Sequence, residues 1–571
     1  MTTSASTATR PQQTIAPSSD STVTHPAPRL DVIEISQHSG DRQTLHRVSF
    51  AVEPGEVVAI AGGSGAGKTT LLEAMVGVRP ADSGWILVDG QETAPDERRF
   101  GYVPQDDIIH HELSLRRTLE HAAALRLPAT TDRSDAQAAV TRVMDQLDLA
   151  DRAELAVGSL SGGQRKRASI AVELLTDPHL FFLDEPTSGL DPATGADVMT
   201  QLRTLAERGT TVVLTTHAPA DLARVDRVVF LARDGHLAFV GTPAEAIDHF
   251  GVEDLTQIYE ALASEPDPRC WAHRFRQARL RSEPADGPAV AWPRQPRDDR
   301  RPQPVGAMRQ WSALTRRNLD LLRRSRLTLA ILLGSPVLVV GMKAELFGSG
   351  GFTPDQPSAM PAVQVLFWVA FSAFFFGVTY GLLQVVGEFA IFQRERFGGL
   401  RVGAYVASKI TVLLPLLVFV NAVMLVVLQG LDRLPATTPA EGLALLLSLV
   451  LASTVALSMG LLASAAVHNP AQATLALPLI CFPQVLLAGG VVPTAAMAPF
   501  SRAFSVILGT RWGFESMGRI LHLDAATSSD PATSGYTASF TGSPVQGWLM
   551  MVGLTIVATA ATTAVLHRRT R

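Results

Sequence analysis

The fold of the first half of the chain is decided by the segment Gly62-Gly63-Ser64-Gly65-Ala66-Gly67-Lys68-Thr69, which follows a short apolar run at residues 57–61. This segment fills every fixed position of the pattern G-x-x-x-x-G-K-[ST], and a helical pattern begins at Thr70. In a strand–loop–helix unit, the glycines let backbone N–H groups surround phosphate oxygens, and the helix N-terminus adds partial positive charge. Lys68 is then placed to bind the β- and γ-phosphates, and the Thr69 hydroxyl to ligate Mg²⁺. We therefore predict that residues 62–70 bind a phosphorylated nucleotide rather than form a glycine-rich turn without a ligand.

Two carboxylates follow a second apolar run, at residues 180–183. Asp184 and Glu185 stand at the carboxyl end of this predicted strand. Asp184 can hold Mg²⁺ directly or through water, as the second motif of phosphate-loop enzymes does. Glu185 can polarise an attacking water as a general base. A strand that ends in Asp-Glu is weak evidence by itself, but together with the phosphate loop it predicts a hydrolytic site.

A third segment, Leu160-Ser161-Gly162-Gly163-Gln164, opens a helical run shortly before Asp184. Ser161 and the two glycines can present backbone donors to a phosphate at a helix start. An ordinary N-capped helix is the simpler interpretation of these residues. Their spacing from Asp184 favours a role in nucleotide binding instead.

The spacing of apolar residues over the same region predicts an α/β domain. Apolar runs at residues 57–61, 180–183 and 211–215 have the length of buried strands, and helical patterns at residues 118–125 and 193–207 lie between them. We expect residues 30–264 to form an α/β phosphate-loop NTPase domain.

The composition of the whole chain separates it from two broad classes of protein. Of 571 residues, 49 are Lys or Arg and 53 are Asp or Glu, so the net charge is −4. Nucleic-acid binders usually carry a basic excess, so no nucleic-acid partner is expected. Charged residues make up 18% of the chain, below the roughly 25% typical of soluble domains. Two cysteines are too few for a disulfide framework.

Long uncharged apolar stretches are concentrated in the second half of the chain. Each approaches the roughly 20 residues that cross the hydrocarbon core of a bilayer, and buried helices of a soluble protein rarely supply several such runs. Six spans are predicted, at residues 327–343, 363–387, 409–429, 442–467, 471–492 and 547–566. Residues 308–326 have the spacing of an amphipathic helix at a membrane surface. We therefore expect residues 308–571 to form an all-α, six-helix transmembrane domain in a lipid bilayer.

Two further segments and the distribution of positive charge complete the predicted organisation. Residues 1–29 are rich in Ser, Thr, Ala and Pro and have no apolar run, which predicts a disordered tail and no signal peptide. Residues 265–307 are rich in Pro and Arg and predict a linker with a short helix around residues 270–281. Arg and Lys are dense before the first span, between the second and third, and at the C-terminal end. By the positive-inside rule, both termini of this multi-pass cell-membrane protein are expected to be cytoplasmic.

Polar residues in the predicted spans have two interpretations. Gln384, Asn421 and Gln484 either line a path for a solute or bond to neighbouring helices. Glu388, at the end of the second span, is either a relay carboxylate or the partner of Arg394 or Arg396.

With these residues in place, the sequence resembles an ATP-binding cassette transporter. The segment from Leu160 to Gln164 matches the signature motif of that family, and Gln105 in Tyr102-Val103-Pro104-Gln105-Asp106 matches its Q-loop glutamine. Ser188-Gly189-Leu190-Asp191 matches the D-loop, and His217 in Leu214-Thr215-Thr216-His217 matches the switch histidine. Each of these matches is weak alone, but their shared order and spacing make a chance match negligible.

The resemblance implies particular roles for these residues. ATP and Mg²⁺ would be the cofactors, with Thr69, Gln105 and Asp184 around the metal ion. Ser161, Gly162, Gly163, Gln164 and Asp191 would complete the nucleotide site. Glu185 and His217 would act in hydrolysis, so the enzyme would be an ATP hydrolase coupled to transmembrane transport, a translocase.

Longer segments are similar to the G type of this family, the transporters that resemble the white pigment carrier. In that type the ATPase domain precedes the membrane domain in one half-length chain, and this chain has the same order. Residues 161–178, 235–250 and 388–409 are similar to its extended signature, to the end of its ATPase domain and to its cytoplasmic hairpin. The resemblance covers roughly residues 30–570. The adenine base in this family usually stacks on an aromatic residue, for which His38 is the candidate in residues 35–42.

The resemblance also implies an assembly, and the lack of a predicted external domain that could capture solute from a binding protein favours export. Two chains would meet head to tail, so that the signature segment of one caps ATP on the phosphate loop of the other. Because every ATPase motif is intact, we expect a homodimer, with a different half-transporter partner as the alternative. The hairpin near residues 388–405 would transmit closure to the spans. Export of a lipophilic compound or lipid is expected; the alternative is an ATPase that drives or regulates a partner membrane protein without moving a solute.

Overall fold

The computed structural model describes residues 27–92, 100–282, 305–348, 350–352 and 358–570. Most of the predicted tail at residues 1–29 lies outside the described residues, as do residues 283–304 of the predicted linker. The chain divides into two compact units. The first contains Met1–Thr93, His179–Leu183 and Met199–Arg294, and the second contains Ala94–Pro178, Asp184–Val198 and Gln295–Arg571. The residues predicted to form the α/β domain therefore fall in both units.

The described residues form ten β-strands. In chain order these are β1 (Leu30–Ser39), β2 (Arg42–Val52), β3 (Val57–Gly62), β4 (Ser83–Val88), β5 (Gln91–Glu92), β6 (Phe100–Val103), β7 (Leu180–Leu183), β8 (Thr211–Thr216), β9 (Arg227–Ala232) and β10 (His236–Gly241). Strands are found at all three apolar runs that the sequence marked as buried strands.

Two sheets build the first unit. One is antiparallel, with strand order β2-β1-β4-β5. The other has the order β10-β9-β3-β8-β7 within this unit. There β3 lies parallel to β8 and β9, and β7 lies parallel to β8. Every residue of β3 is buried, as is usual for a central parallel strand covered on both faces.

Nine α-helices accompany these strands within the described residues. They are α1 (Lys68–Val76), α2 (Leu115–Arg126), α3 (Arg133–Gln146), α4 (Gly162–Leu174), α5 (Pro192–Glu207), α6 (Pro219–Leu222), α7 (Pro243–Phe250), α8 (Leu255–Ser264) and α9 (Arg269–Ser282). Alternation of strands and helices in this part of the chain confirms the α/β class.

The remainder of the described chain is helical. Its helices are α10 (Ala307–Arg324), α11 (Arg326–Leu346), α12 (Met360–Gly381), α13 (Phe389–Phe397), α14 (Val402–Gly430), α15 (Pro439–Ala466), α16 (Pro470–Leu486), α17 (Pro499–Ser505), α18 (Gly509–Ile520), α19 (Leu523–Ser529), α20 (Thr537–Phe540) and α21 (Val545–Arg569).

The second unit packs these helices around a large apolar core and smaller apolar clusters beside it. Helix α12 lies against α15 and α18, and α15 also contacts α21. Helix α10 contacts both α14 and α2. Large side chains such as Phe367, Phe376, Tyr405 and Phe514 are fully buried in this core. The membrane helices and the helices α2 to α4 are therefore parts of one compact unit.

Four described helical segments are long and apolar enough to cross a membrane. They are Met360–Phe397, Val402–Gly430, Pro439–Ala466 and Val545–Arg569. Pro470–Leu486 is apolar but shorter. It contains Pro478 and Pro483, which remove backbone hydrogen bonds from a helix. Helix α11 occupies the first predicted span, and the total of six spans stays a prediction.

Candidate nucleotide-hydrolysis site

The predicted phosphate loop joins β3 to α1 in the first unit. Gly67 caps α1 with φ of 89°, and a Cβ atom there would lie 2.8 Å from the carbonyl oxygen of Thr44. Both the backbone conformation and the available space therefore favour glycine. Lys68 is the first helical residue, and its Nζ donates to the carbonyl oxygens of Gly62 (3.0 Å) and Gly63 (3.1 Å). The ammonium group is thus held over the loop, at a helix N-terminus that favours an anion.

The remaining residues of this segment are arranged around that turn. Ser64 and Gly65 are exposed and Ala66 is buried. Thr69 and Thr70 lie in the first turn of α1, where Thr69 is exposed. The loop therefore presents polar groups to solvent beside a buried strand.

His217 follows β8 at the same edge of the sheet as the phosphate loop. Ala61 of β3 is in register with Thr216 of β8, so both strands end together. The Thr216 hydroxyl donates to Asp221 Oδ2 at 2.7 Å and accepts from the backbone N–H of Ala218 at 3.0 Å. These bonds fix the turn that carries His217 within the first unit.

The second unit brings the Q-loop glutamine and the strand-end carboxylates together. The backbone N–H of Asp184 donates to the carbonyl oxygen of Val103 at 2.9 Å, and Asp184 is buried. Gln105 Nε2 donates to Glu185 Oε2 at 3.3 Å. Glu185 has a positive φ of 45°, a conformation that is uncommon outside glycine and often found at functional sites. Gln105, Asp184 and Glu185 therefore form one cluster.

Sequence reasoning missed Lys166 as part of this cluster. Its Nζ donates to the carbonyl oxygen of Gln105 at 2.7 Å and to that of Pro104 at 3.3 Å, and lies 3.7 Å from Asp107 Oδ1. Burial lowers the pKa of Lys166, and the charge of Asp107 opposes that effect. Lys166 anchors the Q-loop backbone to α4. Lysine is a rare residue type in this chain, so its presence at position 166 could have indicated a specific role.

The signature segment and the D-loop are in contact within the second unit. Ser161 caps α4: its Oγ accepts from the backbone N–H of Gln164 at 3.3 Å, and Gln164 Oε1 accepts from the N–H of Ser161 at 3.0 Å. A Cβ atom on Gly163 would lie 2.2 Å from the Thr194 methyl group. Thr194 in turn donates to both carboxylate oxygens of Asp191. Gly162 is exposed beside Ser161.

His38, the candidate for stacking on adenine, lies in β1. Its backbone N–H donates to Asp82 Oδ2 at 2.6 Å, and its Nδ1 lies 2.9 Å from the same oxygen. The imidazole is half exposed and is held to the loop before β4.

A buried ion cluster links α4 to the segment between the predicted second and third spans. Arg394 of α13 donates from Nε to Glu173 Oε1 at 2.8 Å, from Nη1 to the carbonyl oxygen of Ile108, and from Nη2 to that of Ser169. Arg126 of α2 donates to the other oxygen of Glu173 at 2.6 Å. All three ionised side chains are almost fully buried. The buried charges of Arg126 and Arg394 are therefore compensated by the carboxylate of Glu173, and removal of Glu173 would leave both uncompensated.

A second cluster contradicts the pairing expected for Glu388. Its carboxylate pairs with Lys409 and accepts from the Tyr405 hydroxyl at 2.8 Å, rather than pairing with Arg394 or Arg396. Arg394 pairs with Glu173 instead, and Arg396 donates to the carbonyl oxygen of Leu400. The helical hairpin of α13 and α14 folds Lys409 back over the 3₁₀ turn Val386–Glu388, which local spacing did not reveal.

Burial and neighbouring charges together set the protonation of the groups at this contact. Burial alone would raise the pKa of Glu173, but the charges of Arg126 and Arg394 outweigh it and lower the pKa. For His110, burial and the charge of Arg317 lower the pKa to about 3. Burial also lowers the pKa of His121, although Asp320 accepts a bond from it. Near neutral pH these groups are an ionised carboxylate and two neutral imidazoles.

Two of the three polar residues singled out in the spans have side chains that bond to neighbouring helices, whereas Gln384 is contacted through its backbone carbonyl oxygen. Asn421 Nδ2 donates to Ser453 Oγ at 2.8 Å, between α14 and α15. Gln484 Oε1 accepts from the backbone N–H of Thr510 at 3.0 Å. Asn421 and Gln484 are fully buried, which favours a packing role for both.

Family models and one relative relate this chain to the ABC transporters. A family model described as ABC transporter matches residues 45–188, and one described as ABC-2 type transporter matches residues 309–521. The ABC transporter ATP-binding/permease protein Rv1747 of Mycobacterium tuberculosis is 32% identical over 85% of this chain and 56% of its own length. A solved ATP-binding subunit of an ABC transporter aligns with 41% of this chain and 99% of its own, at 26% identity and a TM-score of 0.37.

Two eukaryotic relatives match a shorter part of the chain. Protein white of Drosophila melanogaster is 39% identical over 37% of this chain and 32% of its own length. ABC transporter G family member 22 of Arabidopsis thaliana is 37% identical over 38% of this chain and 30% of its own length. The chain thus spans about half the length, or less, of the relatives it matches. It belongs to the ATP-binding cassette transporters of the G, or white-like, type, with an N-terminal ATPase domain followed by an ABC-2 type membrane domain.

Proposed function

We propose that this chain hydrolyses ATP to move a lipophilic compound or a lipid out of the cell. The observation that carries the proposal is that α4 connects the signature segment to the partner of Arg394. This helix begins at the signature residues Ser161 and Gly162 and carries Glu173, the partner of Arg394, in its last turn. A helix of this length is a rigid rod of roughly 20 Å. A displacement of its N-terminus by nucleotide would therefore move the segment that leads into α14.

In the proposed reaction, the nucleotide is held by residues 62–70. Lys68 neutralises the β- and γ-phosphates and Glu185 accepts a proton from the attacking water. The oxygen donors of Thr69, Gln105 and Asp184 suit Mg²⁺, which prefers a few protein oxygens completed by phosphates and water. When bound, Mg²⁺ would neutralise charge on the phosphates. His217 would contact the γ-phosphate. The present bond from Gln105 to Glu185 must loosen for Glu185 to reach water.

The proposed active assembly is a head-to-tail homodimer. Ser161, Gly162 and Asp191 are exposed and Gln164 is half-buried, so a second chain can supply the nucleotide that the signature segment caps. The test is the mass of the purified full chain in nanodiscs, together with its ATPase rate against concentration. We expect a dimer with turnover. A monomer without turnover that is rescued by a different half-transporter would replace the homodimer with a heterodimer.

An ATPase that regulates a partner membrane protein is the competing function. Reconstituted liposomes separate the two. Under the transport proposal, ATP stimulates movement of a fluorescent lipid or lipophilic dye, and Glu185→Gln abolishes it. Stimulation of ATPase only by an added membrane protein, with no ATP-dependent movement of any lipid or dye tested, would favour regulation instead.

The proposed location is the cell membrane, with both termini on the cytoplasmic side. Support comes from Arg309 of α10, which donates to the carbonyl oxygen of Ala129 just after α2, and from Arg394 of α13, which donates to that of Ser169 in α4. An epitope at each terminus should be protected from protease in sealed right-side-out cells and cleaved after permeabilisation.

A further inference from the structure

Three arginines of residues 493–546 meet at one cavity. The positive-inside rule disfavours positive charge in this segment if it is external, yet it contains Arg502, Arg511 and Arg519. All three line a cavity of about 230 Å³ in the second unit. Glu515 is the one acidic residue among the described residues that line it. Because guanidinium groups stay protonated in proteins, the lining has two more positive charges than negative ones.

Arg519 and Glu515 form the frame of the cavity. Arg519 uses all of its guanidinium nitrogens: Nη2 donates to Glu515 Oε2 at 3.0 Å, while Nε and Nη1 donate to the carbonyl oxygens of Ser539 and Ser543. Both side chains are nearly fully buried. This pair ties α18 to the segment around α20, so its role is to position the neighbouring groups.

Arg511 and Arg502 retain donors that the frame does not use. Arg511 donates from Nε to Glu515 Oε1 at 2.9 Å and from Nη1 to Ser505 Oγ at 2.5 Å. Arg502 donates from Nε and Nη2 to backbone carbonyl oxygens. Within the described part of the chain, Arg511 Nη2 and Arg502 Nη1 have no acceptor. Glu515, the carboxylate in the lining, is already engaged by Arg511 and Arg519.

We propose that this cavity binds an oxyanion, either the phosphate of a lipid headgroup or a small soluble phosphate. Arg502 and Arg511 would bind it, and Arg519 with Glu515 would position them. A guanidinium group matches the planar geometry of such oxygens. The cavity has room for a small anion and several waters, since a water occupies about 30 Å³ in the liquid. A role for this site in transport rests on the proposed function, whereas the binding itself does not.

The test uses the full chain in phosphatidylcholine nanodiscs, with saturating MgADP to occupy the nucleotide site. Inorganic phosphate is titrated by calorimetry, and phosphatidylglycerol retained from mixed-lipid nanodiscs is counted by native mass spectrometry. Arg511→Gln and Arg502→Gln should each weaken binding about tenfold, because each removes a charged hydrogen bond to the oxyanion. Arg433→Gln is the matched control, because Arg433 donates to the carbonyl oxygen of Ala344 away from the cavity.

The phosphate titration and the count of retained phosphatidylglycerol together identify the source of the oxyanion. Phosphate binding that both cavity variants weaken indicates a soluble ligand, and selective loss of phosphatidylglycerol in the same variants indicates a headgroup. The proposal is overturned if neither probe binds, or if Arg433→Gln weakens binding as much as Arg511→Gln does. ATPase activity of the same samples is recorded separately, so inactive protein that still binds phosphate through these arginines would reject the proposed function alone.

Discussion

The Glu173 carboxylate accepts a hydrogen bond from Arg394 Nε at 2.8 Å and joins the helix of the signature motif to the segment that precedes α14. Two arginines face this one carboxylate, and all three groups are buried. A buried charge without its partner is far more costly than the pair is stabilising. The contact therefore combines a structural requirement with a mechanical link.

Replacing Glu173 with Gln should lower the free energy of unfolding by about 3–5 kcal/mol, because two buried guanidinium groups lose their counter-charge. Thermal and denaturant unfolding of the purified protein would measure this. Glu154→Gln is the control: Glu154 also pairs with an arginine, Arg116, but its side chain is 76% exposed. Such surface pairs contribute about 0–1 kcal/mol. Equal losses in the two variants would contradict the assigned role of Glu173.

Glu185→Gln should retain ATP binding and lose hydrolysis by about 10²–10⁴-fold, the usual contribution of a general base. The amide has nearly the shape of the carboxylate but cannot accept the proton. Steady-state ATPase and nucleotide affinity are measured on the same samples. Glu207→Gln, an exposed change at the end of α5, should leave both unchanged. Full turnover in Glu185→Gln would remove this residue from the role of base.

Lys68→Ala should greatly weaken ATP binding, because the loop loses the ammonium group now held by the carbonyl oxygens of Gly62 and Gly63. We expect a loss of at least about tenfold in affinity, given roughly 1.5–3 kcal/mol for a charged hydrogen bond. Arg47→Ala is a suitable control, since that side chain is 71% exposed and pairs with Glu34. Unchanged nucleotide affinity in Lys68→Ala would reject the phosphate-loop assignment.

The sequence predicted well those features of the molecule that depend only on residues adjacent in the chain. β7 was expected at residues 180–183 and lies there, because a buried parallel strand is a continuous apolar run. Of the two interpretations of Glu388, the pairing with Arg394 or Arg396 was wrong, because those arginines are near it only along the chain. Its partner Lys409 is brought close by the turn between α13 and α14. Likewise, nothing in the sequence around Glu173 distinguishes a buried carboxylate from a solvated one, since its partner Arg394 is far away along the chain.

Base selectivity should be loose, with GTP hydrolysed within about tenfold of the rate for ATP, because stacking on one side chain contributes only ~1–3 kcal/mol. His38 is the candidate for that stacking, and Asp82 holds its imidazole at 2.9 Å. Replacing His38 with Ala should raise the KM for ATP and leave kcat unchanged. Replacing His38 with Tyr should lower the KM for ATP. A strong preference for ATP that survives His38→Ala would show that other residues contact the base.

Stability should fall as the pH drops below about 6.5, through His110. Burial and the charge of Arg317 lower the pKa of this imidazole from 6.5 to about 3. Between about pH 3 and pH 6.5, His110 is protonated in the unfolded chain but neutral in the folded chain. The free energy of unfolding therefore decreases with falling pH by up to about 1.4 kcal/mol per unit, and the effect is absent above 6.5.

The measurement is the unfolding midpoint of full-length protein between pH 5 and 8, for the parent chain, His110→Asn and His273→Gln. His110→Asn removes the titrating group and should flatten the slope below about pH 6.5 by the amount that linkage assigns to one proton. His273→Gln changes an exposed histidine of α9 and should keep the parent slope. If the slope of His110→Asn matches that of the parent, another group must be responsible, and His110 must be protonated equally in the folded and unfolded states. That result would also mean that the contact around α2, α10 and α13 admits water more freely than its small cavity of about 40 Å³ suggests.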